Sequence, residues 1–232
     1  MKQDLPDPAA LNLVTAGTAL VYDSGVFGGT SPVLGQRYRF EVDQTAGTLQ
    51  MQEVLGDYRR YVQLGRSLTL AGRVMHYGRY GKGADDGRLS QLFLGYPWLV
   101  RGYDDTSIGN DISAAQDSAG YSRLVNGYNQ LIGSRLAVVN LEMRVPLLGA
   151  LGLLNSPGIP PVETALFFDA GTAWNRTEKA QFLGGTRKTV TSYGVAFRAN
   201  LFGFAIGEAD LVHPNDRPGQ GWYWELSIQP GF

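Results

Sequence analysis

Apolar and polar residues alternate with a period of two along this chain, and that alternation limits the fold more than any other feature. It is clearest at the C-terminus, where one face carries Trp222, Trp224, Leu226, Ile228 and Phe232 and the residues between them are mostly polar. At about 3.3 Å per residue, such a segment would cross a bilayer at the usual strand tilt. Long amphipathic helical patterns are missing, so the sequence predicts an all-β fold.

Nine segments have the length and alternation of strands. They are Leu11–Ser24, Gln36–Asp43, Thr48–Val62, Ser67–Tyr80, Ser134–Val145, Val162–Trp174, Thr189–Leu201, Phe204–Val212 and Gly221–Phe232. Their polar faces carry charged residues, which would be wet in a soluble sandwich but would face the lumen of a membrane barrel. Strand length and aromatic ends favour the barrel. We therefore predict an antiparallel up-and-down transmembrane β-barrel, with about eight or nine strands in this chain.

The connections between these strands alternate in character. Tight turns are predicted at Gly65–Arg66, at Gly203 and near Gly35, whereas the connections Gly81–Gly133, Asn175–Lys188 and His213–Gln220 are longer and polar. Short turns on one rim and long loops on the other are typical of outer-membrane barrels. The loop 81–133 is unusually long for a compact domain, which indicates a functional role. The predicted organisation is a flexible lead over residues 1–10 and one barrel domain over residues 11–232.

Composition argues against several functional classes. The net charge is −1 and basic residues form no runs, so no nucleic-acid partner is expected. There is no cysteine, and His76 and His213 are the only histidines, which argues against a zinc site or a catalytic triad. We expect His76 to be a polar rim residue, His213 to be solvated in a loop, and the acidic residues after Tyr103 to form a solvated loop. No catalytic residue, metal or cofactor is expected, so the chain is predicted not to be an enzyme.

The N-terminal segment Met1–Ala10 is polar and lacks the apolar core of a signal peptide. An exported protein without that signal would be a mature fragment or an engineered piece, and we expect one of these here. No run of about 18 apolar residues occurs, so no transmembrane helix is expected.

Three segments, in order, carry a resemblance to a known family. They are VRGY at Val100–Tyr103, preceded by the aromatic stretch Phe93–Trp98; LFFDAGTAW at Leu166–Trp174; and the terminal strand ending in Phe232. The segments Asn140–Pro146 and Gly29–Arg37 are weaker matches. Together they resemble the C-terminal half of the barrel in the BamA/TamA and two-partner-secretion transporter superfamily, also called the bacterial surface antigen family.

The resemblance implies a bacterial outer-membrane location and three kinds of partner. These are the lipid bilayer, client outer-membrane or exported polypeptides, and the assembly machinery that would read the terminal strand (Trp222, Trp224, Leu226, Ile228 and Phe232) as its insertion signal. Family barrels have about sixteen strands, so this chain is either the last part of a larger barrel or a reduced barrel. The family's periplasmic module is also absent from this sequence.

Two functions follow from the resemblance. The first is a barrel that inserts or assembles outer-membrane proteins or translocates polypeptides. The alternative is a C-terminal membrane anchor of a larger exported protein, which shares the fold without the assembly activity. The upstream sequence would discriminate them. An outer-membrane enzyme or a simple pore is a weaker third reading, because the rim candidates Asp104, Asp105 and His213 lie far apart in sequence.

In the family, the arginine of the VRGY loop lies against lumen-facing acids. Strand parity places Asp169 and Glu142 on the inward faces of their strands. We therefore predict that Arg101 bridges Asp169 with Glu142 nearby, locking the loop within the lumen. The full predicted set is Arg101, Gly102, Tyr103, Glu142, Asp169 and Gly171. The alternative is that Arg101 is a solvated loop residue and Asp169 an ordinary lumen acid.

Overall fold

The structure is a computed structural model that describes residues 10–147, 160–201 and 203–230, with only the backbone at 229 and 230. Nine long strands dominate it. They are β1 (Leu13–Asp23), β3 (Pro32–Gly47), β4 (Met51–Leu64), β5 (Leu68–Tyr80), β8 (Arg135–Pro146), β9 (Val162–Trp174), β10 (Val190–Leu201), β11 (Ala205–Pro214) and β12 (Tyr223–Pro230). The short strands are β2 (Val26–Phe27), β6 (Leu92–Phe93) and β7 (Ile132–Gly133).

The long strands form one antiparallel meander in the order β1-β3-β4-β5-β8-β9-β10-β11-β12. Each strand pairs with the next, and β2 adds a short pairing to β3. This confirms the predicted all-β antiparallel architecture, and each of the nine predicted segments corresponds to one long strand. Within the described residues the sheet is not closed, and β1 and β12 are its two edges.

The two faces of the sheet differ as the alternation predicts. We call inner the face against which the loop 81–134 packs, and outer the opposite face. On β9 the inner residues Phe167 and Asp169 are buried while the outer residues Leu166 and Phe168 are exposed. On β12 the inner residue Glu225 is buried and its outer neighbours are exposed. An apolar outer face and a charged inner face are the arrangement of a membrane barrel.

Several predicted boundaries are wrong. The second strand extends well beyond Gln36–Asp43, to Pro32–Gly47, because its start pairs with β2 and the rest of it pairs with β1 and β4. Gly35 is therefore not a tight turn: it lies inside β3 opposite Tyr61, and the chain reverses earlier, at residues 28–31 between β2 and β3. The next strand starts at Met51, since residues 48–50 form the turn. Turns do occur at Gly65–Arg66 and at Gly203.

The prediction of a solvated His213 in a loop is also wrong. His213 belongs to β11, paired with Tyr193 of β10. Its ring stacks on Tyr193 at 5.3 Å between centroids and meets the edge of Trp222 at 5.3 Å. The strand continues past Val212 because His213 and Pro214 still pair with Tyr193 and Ser192 of β10. The predicted lead falls mostly on residues 1–9, which lie outside the described residues.

The long loop contains two helices that the sequence patterns did not predict, α1 (Asp105–Ala114) and α2 (Ser118–Asn129). Asp104 and Asp117 are their N-cap residues, each accepting a hydrogen bond from a backbone N–H of the first turn. These two acids are therefore helix caps rather than members of a solvated loop. No helix in the described part of the chain is long and apolar enough to cross a membrane.

An apolar cluster joins the loop to the inner face of the sheet. The loop contributes Leu94, Val100 and Leu131, and the sheet contributes Val138 and Ala173. Burial of these side chains stabilises the docked loop. The loop is thus part of the folded core and brings the VRGY segment against the strands.

Candidate functional site

The guanidinium of Arg101 lies on the inner face among three carboxylates. Its Nε donates to Asp169 Oδ2 at 2.7 Å and its Nη2 to Asp169 Oδ1 at 2.9 Å, a two-pronged pair. Nη2 also lies 2.9 Å from Glu142 Oε1, and Nη1 lies 3.4 Å from Glu208 Oε1. The side chain of Arg101 is 6% exposed and that of Asp169 is 0% exposed. The structure thus brings Arg101, Asp169 and Glu142 together as a buried cluster.

Two further contacts fix the orientation of this pair. The Arg101 guanidinium lies 3.6 Å from the centroid of the Phe167 ring, a cation–π contact inside the sheet. Asn140 Nδ2 donates to Asp169 Oδ1 at 2.8 Å and to the Leu99 carbonyl at 2.7 Å. The Asn140 amide therefore links the carboxylate on β9 to the loop backbone two residues before Arg101. Such contacts hold both partners of the pair in one geometry.

A second arginine on the sheet itself balances the remaining acids. Arg198 of β10 donates to both oxygens of Glu142 at 2.7 and 2.8 Å, and to Glu208 Oε1 at 2.8 Å. Arg144 Nε also donates to Glu142, at 2.7 Å. A buried carboxylate is costly unless it is paired, and here Arg101 and Arg198 each pair with more than one. The site is therefore a network spanning β8, β9, β10 and β11 rather than a single pair.

Gly102 ties the loop to β12. Its backbone N–H donates to Glu225 Oε2 at 2.7 Å, and its carbonyl accepts from Arg217 Nη1 at 3.3 Å. Gly102 has a φ of +91°, and a Cβ atom there would lie 2.9 Å from Val212 Cγ2. Glycine is thus required by both backbone conformation and space.

Tyr103 anchors the loop to the long-loop rim. Its hydroxyl donates to the Thr191 carbonyl at 2.7 Å and accepts from the Asp216 backbone N–H at 3.1 Å. Burial raises the pKa of the Tyr103 phenol above its usual value, so it remains protonated and able to donate. The side chain is buried, at 2% exposure.

Gly171 permits the close approach of the loop to β9. A Cβ atom at this inner position would lie 2.7 Å from Leu94 Cδ1 and 2.7 Å from Val100 Cγ2. These two residues flank the turn that delivers Arg101 to Asp169. Any larger side chain at Gly171 would push the loop away from the acids.

The residues of the predicted insertion signal lie on the outer face. Trp224, Leu226 and Ile228 are exposed on β12, and Trp222 precedes the strand and contacts the rings of Tyr193 and His213. Phe232 lies outside the described residues. These outer residues make no contact with the buried ion network, so the signal and the loop network are separate features.

Comparison with known proteins identifies the family. Residues 17–226 match the Omp85 superfamily domain. The chain belongs to the Omp85 superfamily. This agrees with the resemblance carried by the VRGY loop, the β9 motif and the terminal strand.

One solved structure shows the same fold as this Omp85 domain. It is the crystal structure of BamA from Haemophilus ducreyi lacking POTRA domains 1-3, at 16% identity and a TM-score of 0.60. The match covers 93% of this chain and 42% of that one, so the chain spans less than half the length of the solved protein. A comparison with curated proteins found no match. Membership of the superfamily places the chain in a family that, in general, consists of outer-membrane barrels for protein assembly or translocation.

Several members of the ion network around Arg101 were not predicted from the sequence. Arg198, Glu208, Glu225 and Arg217 all contact the loop or its acids. Strand parity places Arg198 and Glu225 on polar faces, which is the signal that could have flagged them. Their partners, however, come from strands distant in sequence, and only the strand order brings them together.

Proposed function

We propose that this chain is an outer-membrane barrel that inserts other outer-membrane proteins or translocates polypeptides. The observation that carries the proposal is the loop held on the inner face by Arg101 and Gly102. Their partners lie on β8, β9, β11 and β12. A barrel that works by pairing a strand edge with a client must keep its remaining strands in place, and this network does so.

The edge strand β12 supports the same proposal. In the described residues it pairs only with β11, so the backbone groups of its other side are free to pair. Unpaired edge groups are a template for an added strand. The outer residues of β12 are apolar and suit a client strand that must enter lipid. The proposed mechanism is strand templating, with no covalent chemistry.

The test is a folding assay in proteoliposomes. The client is an eight-stranded outer-membrane barrel unfolded in urea. It is diluted into vesicles that contain the protein, and its heat-modifiable folded band is followed on gels. We expect the client to fold several-fold faster than in empty vesicles. The variant Arg101→Met should reduce that acceleration, whereas Arg88→Met, which removes an exposed pair with Asp86 in the same loop, should not.

A folded protein that leaves the client's rate equal to that in empty vesicles contradicts the proposal. That result would favour the alternative, a membrane anchor without assembly activity. If Arg101→Met accelerates client folding as much as the unmodified protein does, the proposed function stands, but the Arg101 network does not contribute to it.

A further inference from the structure

A second site lies on the opposite side of the sheet, away from the ion network. It is a groove of about 500 Å³ on the outer face of β5, β8 and β9, lined almost wholly by apolar atoms. Its floor includes Ala137 and Ala170. The next outer positions along the same strands are the larger Val139 and Phe168, both exposed. Two small side chains among large ones make a depression in the outer wall.

The connection between β9 and β10 forms one wall of this groove. The Phe182 ring meets the Trp174 ring edge-on at 6.1 Å between centroids, and Thr172 Oγ1 lies 2.8 Å from Thr189 Oγ1. Thr172 and Trp174 point outward by strand parity, yet they are only 1% and 6% exposed, because the connection folds over them. Phe182 and Leu183 themselves remain 60% and 58% exposed. Large apolar side chains displayed at such a rim mark a lipid or protein contact.

One cationic side chain, Arg135, lies beside the rim end of the groove. Arg135 is the outer residue two positions before Ala137, and its guanidinium lies 4.5 Å from the Tyr80 ring centroid. Among the described residues Arg135 makes no ion pair. The connection 175–189 carries four basic residues and a single acid, Glu178, which pairs with Arg187. Of the basic residues, Arg176 and Lys179 are exposed but do not line the groove, and Lys188 lines a separate pocket beside Tyr103.

We propose that this groove binds one membrane lipid with an anionic headgroup. Its acyl chain lies on Ala137 and Ala170 beneath Phe182, and its headgroup meets Arg135. The lining offers almost no hydrogen-bonding atoms, so a peptide backbone would be left unsatisfied there, whereas an acyl chain needs none. An apolar groove with a cationic side chain at its rim is complementary to an anionic lipid.

The inference rests on the membrane placement of the sheet but not on assembly activity. It uses different residues from the Arg101 network and the opposite face. A protein that folds in lipid but catalyses nothing can still carry the site, so the two proposals fail separately.

The test is native mass spectrometry of the folded protein in detergent, titrated with phosphatidylglycerol or with phosphatidylcholine of the same acyl chains. We expect one saturable phosphatidylglycerol site with about fivefold preference over phosphatidylcholine, the factor that corresponds to about 1 kcal/mol per basic residue at an anionic surface. Ala137→Phe should abolish the saturable site by filling the groove. Arg135→Gln should lower phosphatidylglycerol binding about fivefold and leave phosphatidylcholine unchanged.

A matched control is Ala209→Phe, which adds the same ring at an outer position of β11 between Phe197 and Leu226. It should bind lipid as the unmodified protein does. Ala170→Leu is a milder groove filler in case Ala137→Phe does not give a heat-modifiable folded band. Unchanged binding in a folded groove variant, or equal affinity of the unmodified protein for the two lipids, overturns the inference. If the unmodified protein gives no folded band in lipid or detergent, the membrane placement fails and the inference fails with it.

Discussion

Replacing Arg101 with methionine is the perturbation whose magnitude the structure defines best. Methionine keeps most of the side-chain volume but removes the charge. Glu142 would retain Arg198 and Arg144, and Glu208 would retain Arg198. The loss therefore concentrates on one carboxylate, Asp169.

Asp169 is fully buried and would keep only neutral donors, the Asn140 amide at 2.8 Å and the backbone N–H of residue 101 at 3.3 Å. Breaking a buried ion pair by removing one partner costs about 3–5 kcal/mol. We therefore expect Arg101→Met to lower the free energy of unfolding by about 3–5 kcal/mol. Arg101→Lys keeps the charge but cannot hold both carboxylate oxygens, and loss of one charged hydrogen bond costs about 1.5–3 kcal/mol.

The assay is a urea titration of the folded fraction in lipid vesicles, read from heat-modifiable gel migration and extrapolated to zero urea. The control is Arg88→Met. Arg88 also holds a carboxylate with two nitrogens, and its hydrogen bonds lower the pKa of Asp86 to about 2, but this pair is exposed in the loop. The urea midpoint of Arg88→Met should stay close to that of the unmodified protein. If Arg101→Met shifts the midpoint no more than Arg88→Met does, Asp169 is not buried with Arg101 and the reasoning is refuted.

Three further changes probe the loop and the outer face. Gly171→Val should displace Leu94 and Val100 and destabilise the protein by about 1–3 kcal/mol through overpacking. A protease should then cleave the loop faster in the absence of urea. Cleavage of the loop at the rate of the unmodified protein would argue against the close approach. Tyr103→Phe removes two hydrogen bonds at the rim and should cost about 1–3 kcal/mol in the same urea titration, and an unchanged midpoint would mean the hydroxyl is solvated. Leu226→Arg places a charge on the outer face of β12 and should reduce folding into vesicles by about 2–4 kcal/mol if that position lies near the bilayer midplane; efficient folding would place this face in water.

The features that could be predicted from the sequence are the ones that local pattern determines. The alternation of apolar and polar residues predicts all nine long strands, and glycines predict the turns at Gly65 and Gly203. Parity along β8 and β9 also placed Glu142 and Asp169 on the inner face. These inferences succeed because side-chain direction in a strand depends only on position along it.

The features that the sequence did not predict depend on contacts between distant segments. The two ends of β3 are determined by its neighbours: Pro32 pairs with β2 and Gly47 pairs with β1. The helices α1 and α2 have weak apolar periodicity, and the sequence pattern alone does not distinguish their N-caps Asp104 and Asp117 from acids of a solvated loop. The roles of Arg198 and Glu225 require the strand order, which brings residues from β8 to β12 to one point.

The outer groove could not be predicted from the sequence either. Ala137 and Ala170 are unremarkable on their own strands and become a floor only because β8 and β9 pair side by side. The wall of the groove comes from a connection that the sequence predicted only as long and polar. Its apolar tip at Phe182 and Leu183 is the local signal that could have marked it.

The claim that Arg101 and Asp169 hold the loop inside the barrel is tested most directly by a double-mutant cycle. The variants are Arg101→Met, Asp169→Asn and the two together, compared by urea titration in vesicles. The structure predicts strong coupling, because Asp169→Asn removes the charge that Arg101→Met would leave unpaired. The double variant should therefore be more stable than the sum of the single losses predicts, by about 2 kcal/mol. Losses that add within about 0.5 kcal/mol would show that the two residues do not meet, and would contradict the account of the anchored loop.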